Sequence, residues 1–134
     1  MKKFELDPRL KADTFELENT STYNLLLMNN ALYLWLILVP KTDCIELIDL
    51  PKNQKEAVLE KVDQLSQCLK NKFPIDKLNV AALGNVVSQL HIHVVGRKIG
   101  DSAWPAPVWG HPDQKDYTLD QVEAIKAIVC GEIH

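Results

Sequence analysis

Gln89, His91 and His93 alternate with Leu90, Ile92 and Val94 in the stretch Gly84-Asn-Val-Val-Ser-Gln-Leu-His-Ile-His-Val-Val-Gly-Arg97. A period of two is the pattern of a half-buried β-strand, whose same-face side chains sit roughly 6.5–7 Å apart. Two imidazoles and a carboxamide then form a row over a core of aliphatic residues. Three chemistries fit such a row. The residues can be plain polar positions on a wet strand face, as a lone histidine would be. They can bind a metal, but such sites need a third strong protein ligand; Gln89 is a poor one for zinc and no Asp, Glu, Cys or His follows until Asp101, so metal binding ranks below catalysis. They can also act at phosphorus. A neutral imidazole attacks a phosphorus centre to give a phosphoramidate-type intermediate that water then hydrolyses, while neighbouring donors stabilise the phosphoryl oxygens. Asn85 and Ser88 supply an amide and a hydroxyl just upstream, and Gly84 permits close backbone approach.

These residues need a scaffold, and its elements are legible. Residues 1–13 read as an irregular arm with room for one turn of helix. Thr14–Glu18 alternates as a short edge strand, and Tyr23–Met28 and Leu32–Val39 flank the turn chemistry of Asn29-Asn-Ala31 as a β-hairpin. In the second arm Leu32, Leu34, Leu36 and Leu38 take one face and Tyr33, Trp35, Ile37 and Val39 the other, so this strand is expected to be central and to end at Pro40. From Pro51, apolar residues Val58, Val62, Leu65 and Leu69 form the stripe of an amphipathic helix of four to five turns, stopped before Pro74. Leu78–Leu83 reads as another strand, Gly84-Asn85 as a turn, and the histidine strand runs on through Val95. Trp104-Pro-Ala-Pro-Val-Trp-Gly110 carries two large aromatics on a stiff loop and is expected to dock on something. Thr118-Leu-Asp-Gln121 has capping-box form and opens a last helix over about 118–131, with Leu119, Val122, Ile125, Ile128 and Val129 as its apolar face. The short connections favour antiparallel pairing. The expected class is therefore α+β, an antiparallel meander of about five strands with a central helix and a C-terminal helix against one face.

A length of 134 residues, 46 % of them apolar, suits one domain spanning 1–134, with its core at about 14–110. A net charge of −3 argues against nucleic-acid polymers or an anionic membrane as partners. Cys44, Cys68 and Cys130 are odd in number and widely spaced, which fits a reducing compartment. The two lysines at the N-terminus precede no apolar segment, so no signal peptide is read, and the run Ala31–Val39 is about half of a membrane span. A cytoplasmic location is the expectation.

Gln89-Leu-His-Ile-His-Val-Val95 resembles the signature of the histidine triad family, His-φ-His-φ-His-φ-φ with φ apolar. The resemblance extends from about Tyr23 to Gly110, through Leu25-Leu-Leu-Met-Asn-Asn30, the strand end Leu36-Ile-Leu-Val-Pro40, the Leu50-Pro51 helix start and the Trp-Pro segment. It implies a nucleotide hydrolase or nucleotidyl transferase acting at the α-phosphate of a nucleoside phosphoramidate or dinucleoside polyphosphate. It implies His91 as the nucleophile that becomes nucleotidylated, His93 as the assisting histidine, Asn29 and Asn30 near the ribose hydroxyls, and Asn85 and Ser88 near phosphate. It also implies no cofactor, and a homodimer whose sheet continues across the interface. The departure is Gln89, where the first triad histidine normally stands. A carboxamide does not relay a proton at neutral pH, and proton transfer by a positioned group is worth about 10²–10⁴-fold. Gln89→His is thus expected to raise turnover if proton delivery limits the rate. The competing reading is a purine-nucleotide-binding or sensing module, and a weaker third is a dimeric interaction protein working through its Trp-Pro loop. Trp35 stands near a position that is often histidine, and it reads as core filling before base stacking.

Overall fold

The computed structural model describes residues 3–134. The chain runs α1 (Pro8–Asp13), β1 (Thr14–Asn19), β2 (Tyr23–Met28), β3 (Leu34–Pro40), a 3₁₀ turn (Leu47–Asp49), α2 (Lys52–Lys72), β4 (Lys77–Ala81), β5 (Ile92–Arg97) and α3 (Leu119–Glu132). The strands form one antiparallel sheet in the order β1-β2-β3-β5-β4. The expected α+β class and the five-strand count hold, β1 lies at an edge, and β3 is central.

Both faces of β3 are covered, for the reason its composition suggests. Leu36 and Leu38 join Leu65, Leu69, Val94, Val122 and Val129 under α2 and α3. Trp35, Ile37 and Val39 face the other way, where Leu10 of α1, Val95, Ala103 and Val108 close over them. The two expected helices share one face while α1 and the arm before it cover the other, and the sheet departs from a simple meander because β5 lies between β3 and β4. The helix from Pro51 is also longer than expected, at 21 residues. In α3 the Thr118 hydroxyl accepts from the Gln121 amide and the Gln121 side chain accepts from the Thr118 amide, which completes the capping box. Val122 and Val129 are buried there, whereas Leu119 and Ile128 are exposed.

The histidine strand is shorter than its alternation suggests. Leu90, Ile92 and Val94 point into the helix-side core and His91, His93 and Val95 the other way, so the period of two is real. The hydrogen-bonded ladder nevertheless begins only at Ile92 opposite Leu38. Extending it to Leu90 would set that residue against Pro40, which has no N–H to give. On the other side β4 ends at Ala81 opposite His93. The expected tight turn at Gly84-Asn85 is therefore part of a ten-residue loop, residues 82–91, with Gly84 at φ +76°. At the far end of β5 only glycine fits position 96, since a Cβ there would come within 2.8 Å of Ile75 Cγ2.

Candidate functional site

His91 and His93 leave the sheet on the face covered by the arm and the Trp-Pro segment. His93 lies on β5 opposite Ile37, and His91 is the last residue of the loop. Their ring centroids are 4.8 Å apart with planes at 68°. Neither is the solvent-facing residue that a wet strand face would give: they are 6 % and 5 % exposed.

Each ring is held in one tautomer by its partner. His91 Nδ1 lies 2.7 Å from the Gln89 carbonyl oxygen, which only accepts, so Nδ1 carries a proton and in the neutral ring the lone pair is on Nε2. The Trp35 indole Nε1–H donates to His93 Nδ1 at 2.9 Å, so His93 carries its proton on Nε2. Burial, and then the neighbouring His91, push the His93 pKa down to about 3. His93 is therefore neutral at physiological pH. The pair joins an open lone pair to a neutral N–H donor, the complement needed for attack at an electrophile with an acidic oxygen beside it.

Aromatic residues wall this pair. Trp109 packs edge-on against His93 at 5.3 Å and Trp35 at 5.9 Å, so the Trp-Pro segment docks on His93 and Trp35. That segment is anchored by Arg97, which is 1 % exposed. Its guanidinium donates Nε and Nη2 to the two Asp101 carboxylate oxygens, Nη2 also to the Ala106 carbonyl and Nη1 to Asn79 Oδ1, while its Cζ lies 5.4 Å from the centroid of a Trp104 ring. The Arg97–Asp101 bonds hold the Asp101 carboxyl below its ordinary pKa. Arg97 is thus engaged as a structural bolt and does not offer a free phosphate contact.

The sequence-predicted residues divide by place. Asn29 and Asn30 do turn the β2–β3 hairpin, but their side chains tie down the segment before α3: Asn29 Oδ1 accepts from the Tyr117 amide, Asn29 Nδ2 donates to Asp116, and Asn30 Oδ1 accepts from Leu32 and Lys115. Both also line an open hollow of about 430 Å³ with Trp35, Val108 and Gly110. Asn85 and Ser88 are exposed on the 82–91 loop. A second cleft of about 490 Å³ runs between the 45–48 and 82–84 segments and reaches His91, with Ile45, Ile48 and Leu83 as apolar walls and Lys55 at its edge. Gln89 is bonded elsewhere: its Oε1 accepts from the Asp7 amide and its Nε2 donates to the Glu5 carbonyl, both at 2.8 Å.

Two participants escaped the sequence reading. Trp35 is core, as read, yet it is also the donor that sets His93; only the β3–β5 register puts them side by side. The arm residues Glu5 and Asp7 meet Gln89 across more than eighty residues with no local signal. Among the described residues, no three His, Cys, Asp or Glu side chains gather in a way that could hold a metal, and no helix is long and apolar enough to cross a membrane.

An α+β fold whose antiparallel sheet presents a histidine pair at the start of β5, under a tryptophan-bearing loop, is a recognisable class. The HIT domain model matches residues 10–100, and the chain belongs to that family. It is similar to a histidine triad protein from Marinobacter aquaeolei, at 41 % identity and TM-score 0.91, over 97 % of this chain and 96 % of the other. It is similar to one from Bradyrhizobium japonicum, at 37 % identity and TM-score 0.92, over 98 % of both chains. A third, from Sinorhizobium meliloti, matches at 32 % identity and TM-score 0.92, over 96 % of both. No curated protein matches the chain. Family membership supports a nucleotide-binding or hydrolase-type protein.

Proposed function

We infer that the chain is a nucleotide hydrolase or nucleotidyl transferase in which His91 Nε2 attacks the α-phosphorus of a nucleoside phosphoramidate or dinucleoside polyphosphate. The observation that carries this reading is the His91 Nδ1 bond to the Gln89 carbonyl, which makes Nε2 the attacking nitrogen of the neutral ring. The Nε2–P bond forms as the bond from phosphorus to the leaving nitrogen or oxygen breaks, and the ring turns cationic with its Nδ1–H still held by that carbonyl. Water then cleaves the Nε2–P bond, releasing the nucleotide and restoring the neutral imidazole. His93 Nε2–H serves as a hydrogen-bond donor to a phosphoryl oxygen and, with its pKa near 3, not as a proton carrier at pH 7. The leaving group must therefore depart already protonated or as a stable anion. In this reading the nucleoside takes the hollow beside Trp35, with Asn29 and Asn30 on its wall, which Trp35 joins to His93. Asn85 and Ser88, exposed on the loop that carries His91, are the phosphate donors in this reading.

The second reading, a nucleotide-binding module with little turnover, is favoured by the engagement of Gln89 and the neutrality of His93, which leave the row without a proton carrier. The same experiment separates the two. Intact mass is measured soon after mixing with a panel of nucleoside phosphoramidates and dinucleoside polyphosphates, with His91→Ala as control. A nucleotide-sized gain or released product that His91→Ala abolishes supports the enzyme; nucleotide binding with neither supports the module; turnover surviving in His91→Ala refutes His91 as nucleophile. Because His91 is buried, the control is also expected to lose about 1–3 kcal/mol of stability from the unpaired Gln89 carbonyl and lost packing, rather than to be silent in the fold. The free outer edge of β4 is the place where a second copy would continue the sheet into a homodimer. Three free cysteines accord with a cytoplasmic setting.

A further inference from the structure

We propose that Gln89 is a positioning residue: its carboxamide latches the N-terminal arm onto the 82–91 loop, and its own carbonyl thereby holds His91 in the attacking tautomer. The inference rests on His91 as the nucleophile and adds the device that sets it.

The geometry is specific to a carboxamide. Gln89 Oε1 and Nε2 point the same way from one planar group, and they accept from the Asp7 amide and donate to the Glu5 carbonyl as a neighbouring strand would. The two ring nitrogens of an imidazole diverge, so a histidine at position 89 makes one of these bonds and loses the other. The arm is fixed at further points. Arg9 Nη1 donates to the Val86 carbonyl at 3.0 Å, Leu10 is buried, and Phe4 and Leu6 pack on the cluster that holds Trp35, Val95 and Val108. The loop itself lacks such support, since residues 82–91 make no strand ladder on either side. The carbonyl on which the His91 tautomer depends thus belongs to the residue that the arm clamps.

This assignment predicts the opposite of a missing proton donor at position 89. The test uses the full chain, labelled with ¹⁵N in its histidines, at pH 8, and reads two quantities. The first is the ring nitrogen shifts of His91, which report the tautomer without any turnover; the second is kcat and KM for adenosine phosphoramidate. The parent is expected to show a single His91 tautomer protonated on Nδ1. Gln89→Met, which keeps the length and removes both bonds, is expected to mix the tautomers and lower kcat about 3- to 10-fold with KM little changed. Leu6→Ser, which loosens the arm and leaves the loop's own residues unchanged, is expected to give the same signature and to add little in the Gln89→Met background. Gln89→His is expected to fall below the parent. A parental tautomer and kcat in Gln89→Met, or turnover above the parent in Gln89→His, would overturn the latch. Failure of the catalytic reading registers separately, as turnover that survives His91→Ala.

Discussion

Replacing Trp35 by phenylalanine removes one N–H from the site and changes how the protein's stability depends on pH. The indole donates to His93 Nδ1 at 2.9 Å inside a pocket where His93 is 5 % exposed. Losing the donor strands a buried acceptor, at a cost of about 1–3 kcal/mol, and the smaller ring forfeits packing worth about 1 kcal/mol more. At pH 8 the variant is expected to be about 2–4 kcal/mol less stable. The pH dependence carries the sharper signal. In the parent the folded-state pKa of His93 lies far below the ordinary value of 6.5, at about 3, chiefly through burial. The unfolded chain therefore binds the extra proton first as pH falls. The stability contributed by the neutral ring is full above pH 6.5 and drains away toward pH 3, amounting to roughly 2 kcal/mol lost by pH 5. Without the Trp35 N–H pressed against Nδ1, protonation there meets less opposition, the pKa rises, and the variant loses less on acidification. Urea unfolding at pH 8 and pH 5 is expected to show the gap between parent and variant narrowing by about 1 kcal/mol. A gap that is the same at both values, or a variant as stable as the parent at pH 8, would refute the role assigned to Trp35.

Other substitutions probe the supports of the site. Arg97→Met leaves Asp101 buried without its partner and unbolts the Trp-Pro segment, so a loss of about 3–5 kcal/mol is expected in chemical denaturation. Trp109 fluorescence should change with it, because that ring packs on His93 and Trp35. Gly96→Ala places a methyl within 2.8 Å of Ile75 and 3.4 Å of Leu34, and a loss of about 1–3 kcal/mol is expected from thermal unfolding. If the proton deficit of the row is real, kcat across a series of phosphoramidates should fall steeply as the leaving amine becomes more basic. A flat series would show that protonation does not limit the step.

The sequence alone carried the periodic features, because periodicity is local. The alternation of residues 32–39 identified a strand with two covered faces, and β3 is that strand. Thr118-Leu-Asp-Gln121 announced a helix start that the capping box of α3 bears out. The alternation of 89–94 correctly sorted the residues that face the helix-side core from those on the opposite face, and the triad resemblance led to the family. Strand limits were less legible, since they depend on whether a neighbour can pair: β5 begins only past the reach of Pro40 and β4 stops at Ala81. Chemical roles were decided by contacts between residues far apart in the chain. Trp35 sets His93 from 58 residues away, Asn29 and Asn30 are tied to the segment before α3, and Gln89, read as a weakened triad member, meets the backbone of the arm. A sequence pattern states which groups are present and which face they take; the tautomer, the charge and the access of each group follow from burial and from the partner that folding places beside it.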